Sequence, residues 1–343
     1  MHLQALSEGS VAYVCSGAEP SGGGVSPRGA LLRGKSIIEY VLIIAIIGLV
    51  IVFAGPEVAG AIRNQFNLVG NTVNSGTTGG TDAGGASGGG AAGADSATVQ
   101  AAIAKDAKDW TLDEQKAVAE DIAAKGEVSP TYAKARAAMD AGTKFSMKLT
   151  DGQTLEYKII GIDHDDLADG SGKAGLTFLT TSRKISSSVN APETNVGGWG
   201  KSKLRAKMNS GEIWNLMPAD FQSKVKSVRK LTNNVGGTDK NAAVTATSDK
   251  LFLLSYSEIV PTSYWAAEYP WTSSEGSQYK AFKGKVTENH SENACLQIGY
   301  HWWERSVSPF SSTTRYFCVG YSGNPSNTDG AAGLLCVCPA WCF

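Results

Sequence analysis

Apolar residues crowd one stretch near the start of the chain, Ile37 to Ala54, and do not alternate strictly with polar ones until Lys144. The first stretch spans ~27 Å as a helix at about 1.5 Å per residue, close to the thickness of a membrane core. Beyond Gly55-Pro56, Val58, Ile62, Phe66 and Val69 share one helical face. Nine of the eighteen residues from Gly76 to Gly93 are glycine, which predicts a flexible tether. From Ser96 to Ala141 the chain reads as helical. Thr111-Leu112-Asp113-Glu114 forms a capping box, Gly126 and Pro130 break the run, and a further helix is expected over Tyr132 to Ala141.

From Lys144 the period is two. Phe145, Met147 and Leu149, then Leu155, Tyr157 and Ile159, flank an Asp151-Gly152 turn, which predicts a hairpin. Strands are expected at Leu176 to Leu179, Leu251 to Leu254, Tyr300 to Arg305, Tyr316 to Gly320 and Leu334 to Val337. Helices are expected near Lys201 to Met208 and Pro218 to Val225. The expected class is α+β, with two helices among antiparallel strands.

Composition sharpens this picture at three points. Seven of eight tryptophans lie at or beyond Trp199, so an aromatic-rich domain is expected at the C-terminal end. The formal net charge is -1 with acids and bases mixed, so no nucleic-acid partner is implied. Five of six cysteines (Cys295, Cys318, Cys336, Cys338, Cys342) crowd the end without Cys-x-x-Cys pairs. They read as small buried hydrophobes, with a Cys295–Cys318 bridge as the open alternative.

Candidate chemistry is sparse. The four histidines form no metalloprotease motif, and neither a nucleophile elbow nor a phosphate loop occurs, so no catalytic residue is assigned. Asp163, Asp165, Asp166 and Asp169 are of the type that holds calcium, the one cofactor considered. Their spacing is not that of an EF-hand, and capping of a turn is the other reading.

Glu39 lies near the start of the apolar stretch, where a charge is costly in lipid and asks for a reason. Gly34, Lys35, Glu39 and Tyr40 resemble the processing site of Flp-type (type IVb) pilins. The resemblance implies cleavage by a prepilin peptidase after Gly34 and pairing of Glu39 with the Lys35 amine of a neighbouring subunit. The expected organisation is a leader over 1–34, a pilin-like helix over 35–74, a linker over 75–95, a helical connector over 96–142 and a ligand-binding domain over 143–343. The expected location is the cytoplasmic membrane before assembly, then an extracellular pilus or the cell surface.

A second resemblance covers about 200 residues. Its runs are His164 to Phe178, Gly197-Gly198-Trp199 with Leu204-Arg205, Leu231 to Asn234, Asp249 to Ser255, Trp302 to Ser306 and Val337 to Phe343. They resemble a bacterial family of unknown function with a C-type-lectin-like fold, a fold that includes formylglycine-generating enzymes and variable proteins of diversity-generating retroelements. The resemblance implies a rigid scaffold with exposed, diversified residues between Tyr300 and Thr328. The candidate ligand-binding residues are Tyr300, His301, Ser308, Phe310, Ser311, Ser312, Thr313, Thr314, Tyr316, Tyr321, Asn324, Ser326, Asn327 and Thr328. Tyr, Ser and Asn suit an adaptable binding surface, whereas Trp302, Trp303 and Phe317 are expected in the core. The implied function is a displayed adhesin or receptor for an extracellular protein or glycan. A structural minor pilin without an external ligand, and more remotely a cysteine-dependent oxidase, are the alternatives.

Overall fold

The computed structural model describes residues 96–286, 292–309 and 313–343. Three helices come first: α1 (Ser96–Ala104), α2 (Leu112–Lys125) and α3 (Tyr132–Ala141). At the start of α2 the Thr111 hydroxyl accepts from the Glu114 N–H at 3.2 Å, and the Glu114 carboxylate accepts from the Thr111 N–H at 2.8 Å. Two otherwise orphaned backbone donors are thereby satisfied. Gly142, with φ 64°, ends α3 in the left-handed conformation that glycine adopts without strain.

These helices bury Trp110, Val118, Ile122 and Met139 in the same core as the strands that follow. The Trp110 ring lies 6.4 Å from that of Phe145. Contact with the sheet is close enough to require a glycine. A Cβ on Gly175 would stand 1.9 Å from the Ala119 carbonyl oxygen in α2.

The first sheet is antiparallel, in the order β1 (Lys144–Lys148), β2 (Thr154–Ile162), β3 (Leu176–Thr180), β11 (Ala340–Cys342). The Asp151-Gly152 turn joins β1 to β2, and Asp151 Oδ1 accepts from the Gln153 N–H at 2.9 Å. Alternate residues of β1 and β2 bury Phe145, Met147, Leu155, Tyr157 and Ile159. Trp341 of β11 then packs on Tyr157, Phe178 and Phe221, with ring centroids 4.8 to 5.8 Å apart.

The second sheet runs in the order β4 (Ser186–Ser187), β10 (Leu335–Cys336), β7 (Trp302–Val307), β8 (Arg315–Val319), β9 (Asn327–Gly330). Its pairs are antiparallel except β10 with β7. Between the sheets in sequence lie α4 (Lys203–Asn209), α5 (Glu212–Leu216), α6 (Ala219–Lys224), the hairpin of β5 (Val228–Asn233) and β6 (Val244–Asp249), and the short α7 (Tyr256–Ile259).

The α+β class and the 151–152 hairpin agree with the sequence pattern. The helical segment after Ser202 divides into three helices instead of two. Leu251 to Leu254 is fully buried but forms no strand of its own: Phe252 bridges to Ala340, and the Leu254 carbonyl accepts from the Arg305 N–H of β7 at 2.9 Å. Its unbroken apolar character reflects burial on every side.

The expected membrane and pilus location is corrected by the described residues, none of whose helices is long and apolar enough to cross a membrane. The longest, α2, has 14 residues. Gly34, Lys35, Glu39 and Tyr40, and the predicted helix over 35–74, lie outside the described residues.

Candidate functional site

Strands β7 and β8 run through the core, and their ends reach solvent. Trp302, Trp303 and Phe317 are buried, whereas Tyr300 is 48% exposed and Tyr321 67%. Trp302 pairs with Val319. Continuing that antiparallel register outward brings Tyr300 and Tyr321 to the same end of the sheet. There the Asn327 amide donates to His301 Nδ1 at 3.1 Å, and the Arg183 guanidinium carbon lies over the Tyr300 ring, 4.6 Å from its centroid.

The turn that carries Tyr321 is braced from several sides. The Gly320 N–H donates to the Asn324 carbonyl at 2.7 Å and Asn324 Oδ1 accepts from the Ser326 N–H at 2.9 Å. From neighbouring segments, the Asn293 amide reaches Gly323 O at 3.2 Å and the Gln297 amide reaches Ser322 O at 2.9 Å. Beneath it, Tyr256 stacks on Phe317 at 4.7 Å and its hydroxyl lies 3.2 Å from Ser326 Oγ. Exposed side chains are therefore held on a fixed backbone.

Not all of the sequence-predicted residues meet here. Thr313 and Thr314 lie beyond the opposite end of β8, a strand that is itself about 13 Å long at about 3.3 Å per residue. Thr328 is half-buried between the two ends, against Arg315. Tyr316 and Ser308 are fully buried and belong to the scaffold, a correction that follows from the inward face of β8 and the close packing after β7. Phe310, Ser311 and Ser312 lie outside the described residues.

The calcium expectation is overturned. Among the described residues no group of three or more His, Cys, Asp or Glu side chains could hold a metal ion. The four carboxylates have other engagements. Asp169 Oδ1 accepts from the Ser171 N–H and hydroxyl, and Asp166 pairs with Lys173 at 3.0 Å. Asp163 is pushed up to about 6 by burial. Asp165 points inward, to Lys230 at 2.6 Å, the Thr177 hydroxyl at 2.6 Å and the Tyr279 hydroxyl at 2.9 Å.

Asp165 opens a buried charge cluster that sequence reading did not find, because its members are scattered from 165 to 306. Burial alone would raise its pKa, but the Lys230 ammonium and the hydrogen bonds hold it well below the carboxylate range. Lys230 also meets Glu258 at 2.5 Å, and Arg305 grips the same Glu258 with both Nη atoms. Burial pushes Glu275 up to about 7, although the Asn233 N–H donates to it at 2.8 Å and the Ser306 hydroxyl also donates to it. Glu304 is fully buried, and neither carboxylate oxygen has a hydrogen-bond partner among the described residues. Burial and the neighbouring Glu275 raise its pKa far above the usual range.

Cys295, Cys318, Cys336, Cys338 and Cys342 are free thiols, so the Cys295–Cys318 bridge is not formed. Burial raises all five pKa values, which disfavours the nucleophilic thiolate. Two shallow clefts of about 330 and 320 Å³ lie away from the Tyr300 end, one beside Lys240 and Trp271, the other beside Lys108 and Lys134.

Residues 174–343 match the model of a domain of unknown function (DUF6273). No curated protein and no solved structure matches the chain.

Proposed function

We propose that this domain is a non-catalytic binding module of C-type-lectin-like architecture, which meets its ligand with the Tyr300–Tyr321 end of the second sheet. The observation that carries the reading is the contrast within β7 and β8. Every residue of β7 and all but Arg315 of β8 are buried, yet the segments just outside present two tyrosines to solvent. Tyrosine supplies large, rigid contact area at low entropic cost, and the neighbouring Asn324, Asn327 and His301 supply hydrogen bonds. The braced 320–326 turn reduces the ordering cost of association.

The gathering of Tyr300, Tyr321, Asn324, Ser326 and Asn327 at this end supports sequence diversification at this surface as part of the same proposal. The pattern of Gly34, Lys35, Glu39 and Tyr40 supports assembly with like subunits.

The test is a peptide and glycan array probed with the purified full chain and with its Tyr300→Ala and Tyr321→Ala variants. Binding lost or weakened at least tenfold in both variants is expected, since exposed anchors of this type carry about 2 kcal/mol or more. Array binding that both variants retain at full strength would remove this surface.

A further inference from the structure

We propose that the Lys230 amine and the Asp165 carboxyl condense into an intramolecular amide, with Glu258 and the Tyr279 hydroxyl moving the protons. The inference concerns the buried cluster and is independent of the ligand surface.

The lysine ion pairs of the described residues differ in one respect. Every other pair keeps at least one side chain in partial contact with solvent, whereas Lys230, Asp165 and Glu258 are each 3% exposed. Lys230 Nζ lies 2.6 Å from Asp165 Oδ1 and 2.5 Å from Glu258 Oε1, and 4.3 Å from the centre of the buried Phe252 ring. Backbone contacts fix the two segments beside each other. Leu167 bridges to Val228, and the Arg229 N–H donates to the Asp166 carbonyl at 2.9 Å. Amine and carboxyl are thus in contact with no freedom left to lose on reaction.

The two carboxylate oxygens have different surroundings. Oδ2 accepts from the Thr177 hydroxyl at 2.6 Å and lies 3.6 Å from Cys342 Sγ, so donors stand where negative charge develops when Cγ is attacked. Oδ1 faces the amine. The Tyr279 hydroxyl is 2.9 Å from Oδ1 and 3.2 Å from Nζ, and so touches both the nucleophile and the departing oxygen.

The ammonium first gives a proton to Glu258, which Arg305 holds in place, and the neutral amine attacks Asp165 Cγ. The Cγ–Nζ bond forms and the Cγ–Oδ1 bond breaks. Two protons leave nitrogen in all. Glu258 returns the one it held, Tyr279 relays both to Oδ1, and that oxygen departs as water. One positive and one negative charge become a neutral amide, and no oxidant or further reactant is consumed. Burial works against both charges, while their attraction keeps Asp165 low and Lys230 raised, so the ion pair is the resting state and the neutral amine a minor form. A dry site also withholds the water that would reverse the step. The product ties β5 to the loop before β3 across 65 residues of sequence.

The test is tryptic mass spectrometry of the purified full chain after denaturation. Peptide 159–173 should appear joined to peptide 230–240, at their summed mass less one water, because an acylated Lys230 also blocks cleavage after itself. Fragmentation should place the joint at Asp165 and Lys230. A succinimide also loses water but leaves the two peptides separate. Lys230→Arg, which keeps the cation without an amine, should give no joined peptide. Tyr279→Phe should lower the joined fraction severalfold in freshly made chain. Recovery of 159–173 and 231–240 only as separate peptides from the unaltered chain would overturn the inference, whatever the variants do. So would a joint at another aspartate or one that persists in Lys230→Arg. An undiminished joined fraction in Tyr279→Phe would overturn the relay.

Discussion

Arg305 holds Glu258 through two hydrogen bonds, of 2.5 and 3.1 Å, and neither side chain reaches solvent. The remaining Arg305 donors are also used, on the Thr232 hydroxyl and on the carbonyls of Leu253, Leu231 and Glu275. One guanidinium thus ties β7 to β5, to α7 and to the loop at Glu275. Loss of one partner would strand a buried charge, and this is costlier than the pair itself is stabilising.

Arg305→Met should therefore destabilise the domain by about 3–5 kcal/mol. Arg305→Lys should lose much of the same stability, because an ammonium cannot reproduce the fork. Urea unfolding followed by tryptophan fluorescence measures both. A loss under 1 kcal/mol in Arg305→Met would show that the cluster contributes little.

The pH dependence follows from four buried acids facing two buried bases. Glu275 is raised from 4.5 to about 7, with Ser306, Asn233, Arg305 and Glu258 facing it, and Glu304 is raised further beside Glu275 and Arg305. An acid whose folded pKa is raised binds its proton more tightly in the folded state. Its contribution is complete below the unfolded pKa and is lost as pH rises towards the folded value. For Glu275 the window runs from pH 4.5 to about 7 and amounts to roughly 3 kcal/mol at 1.4 kcal/mol per unit. For Glu304 the loss continues above pH 7. Asp165 and Glu258 are lowered, and their contribution disappears only as pH falls below the ordinary carboxylate range. The melting temperature should accordingly peak on the acid side of neutrality. Glu275→Gln should flatten the decline between pH 5 and 7, and Glu304→Gln the decline above 7. A melting temperature that rises from pH 5 to pH 8 would contradict this assignment.

Gly175→Ala should separate the leading helices from the sheet. The added methyl group would meet the Ala119 carbonyl at 1.9 Å, and that backbone is held by the hydrogen bonds of α2. A loss of about 1–3 kcal/mol, the usual cost of overpacking, is expected. Faster amide hydrogen exchange over 112–125 than in the unaltered chain would locate the effect.

Thiol labelling of the native chain should rank the five cysteines of the described residues by exposure. Cys295 is half-buried and the other four are buried, so among these five iodoacetamide should modify Cys295 first. Peptide mass spectrometry reads the order. Early modification of Cys318 or Cys342 would indicate an opening of the core absent from this structure.

The sequence announced local features and concealed collective ones. The capping box at Thr111 and Glu114 and the turn at Asp151-Gly152 were legible because neighbouring residues decide them. Tyr300 and Tyr321 were legible as exposed because they flank buried runs. Asp165 was read as one acid of a calcium-holding or turn-capping loop, since its partners Lys230 and Tyr279 stand far along the chain. Arg183 carried no sequence signal, because its relation to Tyr300 exists only once β4, β10 and β7 lie side by side. The strand β11 was missed for a similar reason. Its three residues are too few for a period, and β3 defines them.

That last pairing has a consequence for synthesis. Thr177 and Cys342 touch across 165 residues of sequence. A nascent chain that has not yet reached Ala340 leaves one edge of β3 without its partner, and Trp341 cannot yet cover Tyr157 and Phe178. An open strand edge beside uncovered aromatic rings invites mispairing with other chains. The interval between making β3 and making β11 is thus the period in which this protein most needs a chaperone.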